Sequence, residues 1–334
     1  MKAMILAAGF GTRLRPLTLT VPKPMVPVMN RPLLEHSLDL LREQRITDLT
    51  INLHHLPEKV IAHFREGGGF GVHINWSQED AILGTAGGIK QAERFLDDAP
   101  FLVMNSDVVA DIDFERVLAF HQEKGSVLTL VLKEGDSPEA CDPIEIDDTG
   151  RIVHMPGVPS TSALGLPHRF TFTGIQIMDP MIFDRIPGGV FSGTTSDVFP
   201  QMIADGLPVY GYIHEDYWID IGQPASYRRI HRDLLDGTAR WRHPERSADP
   251  GRATLIPPVH IGKDCTIADS AQLGPYTVLG DGCVVGEDVR VDNTVCWKRV
   301  TLQQGAAVSH SILGDGVTVP AGERCEDQTR ASKA

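Results

Sequence analysis

Along the first 235 residues short apolar runs alternate with stretches whose apolar positions recur at helical spacing; after residue 253 one aliphatic residue returns in every six. The first run, Ala3 to Ala8, is too short to span a membrane and predicts a buried strand. Pro32 to Gln44 places Leu33, Leu34, Leu38 and Leu41 on one helical face, and Asp48 to Leu53 predicts the next strand, completing a β-α-β unit. Pro57 to Phe64 repeats the helical pattern with proline in its first turn. Val72 to Trp76 predicts a strand, Ser77 to Leu96 a loop entering a helix, Phe101 to Ser106 a further apolar strand, and Pro224 to Leu235 a closing helix. Together these predict an α/β fold with a Rossmann-like mixed open sheet.

The later texture differs. Ile261, Ile267, Leu273, Leu279, Val285 and Val291 stand six apart, with Gly262, Gly274, Gly280 and Gly286 after four of them. That is the hexapeptide pattern of a left-handed parallel β-helix, of about four coils. The phase slips near Trp297 to Thr301 and resumes at Leu313 and Val319, which predicts an insertion or cap there. The expected organisation is a catalytic domain over 1–235, a polar linker over 236–253, the β-helix over 254–326 and a tail over 327–334.

Composition narrows the class. With 42% hydrophobic and 22% charged residues the chain is ordinary globular material, and no apolar run approaches the length of a spanning helix. The Met1 to Ala8 segment lacks a signal peptide's longer apolar region, so a cytoplasmic protein without a membrane partner is expected. Cys141, Cys265, Cys283, Cys296 and Cys325 form no CxxC pair, which favours neither a disulfide framework nor a zinc site. The formal net charge of -13 disfavours nucleic acid as a partner. Against that acidity, the first 34 residues carry Lys2, Arg13, Arg15, Lys23 and Arg31 and no acid. Gly9 and Gly11 allow close backbone approach, and a local cationic island suits a small anionic ligand. GFGTRL lacks both the third glycine of a dinucleotide fingerprint and the Gly-Lys-Ser/Thr of a P-loop.

Read whole, LAAGFGTRLRPLTLTVPKPMVPV closely resembles the signature of the sugar-1-phosphate nucleotidylyltransferases, or NDP-sugar pyrophosphorylases. The resemblance implies that Leu6, Ala7, Ala8, Gly9, Gly11, Thr12 and Arg13 wrap a nucleoside triphosphate, that Arg13 stabilises the leaving pyrophosphate and that Lys23 contacts phosphate. LGTAGG, Leu83 to Gly88, is similar to the segment that lies against base and ribose. It implicates Gly84 and Thr85, with Glu79 or its neighbour Gln78 reading the base. A carboxylate accepts two parallel donors, which guanine offers on one edge, so Glu79 favours GTP; Gln78 would suit uracil or thymine better.

FLVMNSDVV resembles the family's strand ending in Asn-Gly-Asp, and YWIDIGQPASY its Trp-x-Asp-x-Gly segment, which together imply Mg²⁺ on Asp107 and Asp220. Asp107 also follows a buried strand, where open α/β sheets place ligand chemistry. Asn105, Thr173 and Gly174 fall at sugar-side positions. The family's Glu-Lys-Pro is replaced by His154, Met155 and Pro156, and its Asn-Ala-Gly by Phe172, Thr173 and Gly174, so the sugar pocket is atypical.

The expected reaction joins an NTP and a sugar-1-phosphate to give an NDP-sugar and pyrophosphate. ILGTAGG and the β-helix segment TVCWKRV look most like mannose-1-phosphate guanylyltransferases, which implies GTP and mannose-1-phosphate, with UTP or dTTP as the alternative. A catalytically silent sugar-nucleotide-binding subunit is the rival from another class, opposed by the retention of Arg13, Lys23, Asp107 and Asp220. An acetyltransferase β-helix is disfavoured, because the helix has only about four coils and His260 and His310 are as easily surface residues as catalytic ones. The flat sides of such a helix commonly serve as homo-oligomer contacts.

Overall fold

The computed structural model describes residues 1–135, 144–158, 169–240 and 250–332. Cys141 and half of the expected linker, 241–249, lie outside them. By packing, the chain divides into two units that do not follow chain order: Met1–Phe10 with Ser37–Trp218, and Gly11–His36 with Ile219–Ala334. The segment carrying Arg13 and Lys23 thus packs with the C-terminal part of the chain.

The first unit is built on a seven-stranded sheet in the order Val209–Ile213, Leu128–Glu134, Phe170–Met178, Phe101–Asn105, Ala3–Leu6, Asp48–Leu53, His73–Gln78. Ala3–Leu6 runs parallel to both of its neighbours, whereas Phe170–Met178 is antiparallel to both of its own, so the sheet is mixed as expected. The parallel strands are apolar on both faces: Met4, Ile5, Leu49, Ile51, Leu102 and Val103 are all fully buried. Asp48–Leu53, Pro57–Phe64 and Pro224–Leu235 have their expected bounds. The strand expected to end at Trp76 runs on to Gln78, because Asn52 and Leu53 continue to pair with Ser77 and Gln78.

The second unit contains a three-sided parallel β-helix whose faces hold five, five and four strands. Its inward column includes Ile261, Leu273, Leu279, Val285, Val291, Cys296, Leu302, Val308, Leu313 and Val319. The phase slip is neither an insertion nor a cap. Strands pair 18 residues apart in the early coils, as Thr266 with Val284, and 17 apart later, as Val295 with Ile312 and Ala307 with Arg324. One corner has lost a residue and keeps that loss: Asn293, His310 and Asp327 recur there with positive φ, where the earlier corner uses Gly274, Pro275 and Tyr276. The ladder continues to Arg330, past the expected boundary at Glu326. Cys283, Cys296 and Cys325 are buried packing residues, and His260 is 4% exposed.

Candidate active site

In the first unit the candidate residues collect at the carboxyl ends of the parallel strands, where register places Asn105, Leu6, Asn52 and Ser77 side by side. The end of the first strand is fixed by a side chain that the motif reading did not include. Asn52 accepts from the Ala7 backbone N–H at 2.9 Å through its carbonyl oxygen and donates through its amide to Glu79 Oε1 at 2.7 Å. The other carboxylate oxygen of Glu79 accepts from the Leu83 N–H at 2.8 Å. Both oxygens of the expected base reader therefore already hold one internal bond in a residue only 5% exposed, while Gln78 beside it is exposed. The pair needs a glycine beneath it, since a Cβ on Gly88 would lie 2.6 Å from the Asn52 amide and 2.7 Å from Glu79 Oε1. In the alternating strand Asp48–Leu53, Asn52 occupies the same kind of polar position as Asp48 and Thr50, so no local signal singles it out.

The LGTAGG segment enters the helix Gly84–Gln91. Gly84 has φ of +73°, and a Cβ there would meet the Ser192 carbonyl oxygen at 2.5 Å, so both backbone and space demand glycine. That same carbonyl accepts from the N–H groups of Ala86 and Gly87. Thr85, expected on the nucleotide, has its hydroxyl engaged by Thr194, whose backbone N–H donates to it at 2.8 Å.

Asp107 follows the buried strand as expected and is half-buried. On the sugar-side strand, Gly174 has φ of +78° and leaves room for Asn105, whose amide nitrogen would lie 2.6 Å from a Cβ at that position. Thr173, expected on the sugar side, is 1% exposed, and its hydroxyl donates to the Val131 carbonyl at 2.8 Å.

In the second unit the cationic loop is three short turns, Thr12–Leu14, Leu17–Leu19 and Lys23–Met25. Gly11, with φ of +62°, starts the first, and its carbonyl accepts from the Thr18 hydroxyl at 2.7 Å, folding the loop back on itself. A Cβ on Gly11 would lie 3.2 Å from the Cβ of Lys23, so this glycine brings the lysine close to the start of the loop. The Arg13 guanidinium stands 3.7 Å from Asp220 Oδ2, with the two side chains 44% and 35% exposed. A Cβ on Gly222 would lie 2.6 Å from Arg13 Nη2, so Gly222 supplies the space the guanidinium occupies. The structure thus joins Arg13 to two members of the Trp218-x-Asp220-x-Gly222 segment, only one of which had been singled out. At this exposure the ion pair contributes about 0 to 1 kcal/mol, so the arrangement orients the arginine more than it stabilises the fold.

Asp107, in the first unit, and Asp220, in the second, each offer hard carboxylate oxygens of the kind that suits Mg²⁺. No cluster of three or more His, Cys, Asp or Glu that could hold a metal occurs among the described residues.

A family model described as nucleotidyl transferase matches residues 2–237, and one described as the GMPPB C-terminal domain matches 255–333. The chain is 32% identical to a UTP–glucose-1-phosphate uridylyltransferase of Synechocystis sp., over 99% of this chain and 90% of that one. It is 32% identical to probable mannose-1-phosphate guanylyltransferase 3 of Oryza sativa subsp. japonica (98% and 90%) and 33% identical to the mannose-1-phosphate guanyltransferase of Hypocrea jecorina (98% and 90%). Among solved structures, HddC from Yersinia pseudotuberculosis complexed with GMP-PN aligns with a TM-score of 0.58 at 23% identity, covering 70% of this chain and 99% of that one. At that identity the likeness concerns the fold alone.

Proposed function

The chain belongs to the nucleotidyl transferase family, as a sugar-1-phosphate nucleotidylyltransferase with a C-terminal β-helix, and on that premise we propose that it uses GTP and mannose-1-phosphate. In this reaction a phosphate oxygen of the sugar-1-phosphate attacks the α-phosphorus of the NTP, and the bond to the β-phosphate oxygen breaks to release pyrophosphate. The nucleophile is already an anion, so catalysis consists of positioning and charge neutralisation, with no general base.

The observation that carries the site assignment is the orientation of Arg13 by Asp220 and Gly222 on a loop folded by Gly11. Arg13 neutralises the departing β- and γ-phosphates, and Lys23 bridges the attacking and transferred phosphates. Asn105 and Gly174 serve the sugar side. The family generally uses a divalent metal; Asp107 and Asp220 are our candidates to hold Mg²⁺. When bound, the ion offsets phosphate charge as the α-phosphorus is attacked.

The guanine assignment draws on Glu79. Its carboxylate is fixed by Asn52 and the Leu83 N–H, one bond to each oxygen, and a carboxylate has lone pairs for about two more. Prior fixing favours a pair of parallel donors such as guanine's ring N–H and amine. The rice and Hypocrea relatives support this reading. A UTP-dependent reading is favoured by the Synechocystis relative and by the exposed Gln78. The deciding measurement is the melting temperature with Mg²⁺ and equal concentrations of GTP, UTP or dTTP. GTP is expected to raise it most; a clear preference for UTP or dTTP would refute the guanine assignment and leave the reaction class intact.

Self-association through the β-helix belongs to the same proposal, supported by Ile256 and Val284, large apolar side chains exposed in that part of the chain. A cytoplasmic setting also fits, since no described helix is long and apolar enough to cross a membrane.

A further inference from the structure

Trp297, within the TVCWKRV segment, follows the inward Cys296 and so points out of the β-helix, yet it is only 2% exposed. Its indole Nε1 donates to the Tyr227 hydroxyl oxygen at 2.9 Å. Tyr227, on the helix Pro224–Leu235, is completely buried and donates its own proton to the Pro27 carbonyl. Pro27 and Val28 pair with Pro32 and Arg31 in a hairpin immediately after the Lys23–Met25 turn, and the Val26 N–H closes on the Lys23 carbonyl at 3.1 Å. Met29 and Asn30, at the tip, both have positive φ (47° and 66°), the geometry of a two-residue hairpin turn that matches strand twist.

Two further bonds hold that tip. The Met29 N–H donates to His231 Nε2 at 3.2 Å, and the Asn30 amide donates to the Leu279 carbonyl on the β-helix at 2.9 Å. Earlier in the same loop, buried Leu17 packs beside Gly314, where a Cβ would meet its Cδ2 at 3.1 Å. All of these residues belong to one packed unit. A surface loop ordinarily moves more than the elements it connects. This one is anchored to the β-helix before Lys23, by Leu17, and after it, by the hairpin.

We propose that Tyr227 and Trp297 are positioning residues for Lys23: the β-helix, through the Trp297 to Tyr227 to Pro27 chain of hydrogen bonds and the Asn30 clamp, sets the working geometry of the phosphate-binding loop. The proposal rests on the reading of Lys23 as a phosphate ligand. It assigns the β-helix a part in turnover beyond any part in assembly. Tyr227→Phe keeps the ring and removes the hydroxyl, while Asn30→Gly keeps access to positive φ and removes only the amide.

The test is steady-state pyrophosphate release by the full chain carrying Lys23→Ala, Tyr227→Phe, Asn30→Gly, and Lys23→Ala combined with each. Tyr227→Phe and Asn30→Gly should each lower kcat on the order of ten- to a hundredfold with the NTP KM nearly held, as misplacement of a catalytic group does. Neither should lower turnover further once Lys23 is alanine, because the group being positioned is gone. A folded variant with wild-type kcat, or losses that multiply in the double variants, overturns the proposal. If Tyr227→Phe does not fold, Asn30→Gly alone decides by the same criteria. Wild-type turnover by Lys23→Ala would overturn the reading of Lys23 and the proposal together; an impaired Lys23→Ala beside an unimpaired Tyr227→Phe would overturn only the proposal.

Discussion

The side-chain amide of Asn52 joins the Ala7 backbone to the Glu79 carboxylate, with contacts of 2.9 and 2.7 Å in a residue only 2% exposed. One buried group therefore registers the loop after the first strand against the residue that we assign to the nucleotide base.

Asn52→Leu is expected to leave the Ala7 N–H and one Glu79 oxygen without this partner, costing about 1 to 3 kcal/mol of stability. GTP should then raise the melting temperature less than in the wild type. Gly88→Ala should act in the same direction by forcing the pair apart. Urea unfolding with and without GTP checks both, and an unchanged GTP response in either folded variant would count against the Glu79 assignment.

Arg13→Ala should lower turnover a hundredfold or more, on the order of what removal of one preorganised charge stabiliser costs, while the fold survives because the side chain is 44% exposed. Gly222→Ala keeps the charge and takes away its space, so it should lower kcat in the same sense. Pyrophosphate release with circular dichroism as the fold control measures both. Wild-type-like turnover of folded Arg13→Ala would sink the site assignment.

Asp107→Asn keeps the shape of the side chain but weakens it as a ligand for a hard cation. The Mg²⁺ concentration for half-maximal activity should rise. Activity that persists undiminished in EDTA would contradict the metal role.

His231 supplies a pH dependence. Its Nε2 accepts from Met29, which puts the proton on Nδ1, and that nitrogen donates to the Tyr227 carbonyl at 2.8 Å. Burial lowers its pKa from an ordinary 6.5 to about 4, with the nearby His260 adding to the effect. The folded state then binds fewer protons than the unfolded state between those values, so stability rises with pH. The contribution is complete above pH 6.5 and is lost as pH falls toward 4, amounting to about 2 to 4 kcal/mol at full extent. His231→Gln should flatten that part of the profile, measured as urea midpoints at intervals from pH 7.5 to 4.5. An equally steep profile in the variant would reject His231 as the source.

Much of this protein was determined locally. The alternating polar and apolar residues of Asp48–Leu53, the helical spacing in Pro224–Leu235 and the six-residue column through Val291 are short-range periodicities, and each became the element that its period specifies. The family was legible for a related reason: Gly11, Arg13 and Lys23 lie within one stretch whose spacing is itself the signal. What sequence could not settle was which distant groups meet. That Asn52, 27 residues earlier, would hold one oxygen of Glu79, or that the Thr173 hydroxyl would bond to the Val131 carbonyl, is visible in no local stretch of sequence. The shortened coil corner looked like an interruption because a hexad count has no means of showing that the same corner is short in each following turn. Gly222 beneath Arg13, and Trp297 reaching Pro27 through Tyr227, depend on strands and coils closing over long stretches of chain. Local pattern fixes which face of an element is apolar; the packing of whole elements decides which polar group on one is presented to which on another, and that information is absent from any single window of the sequence.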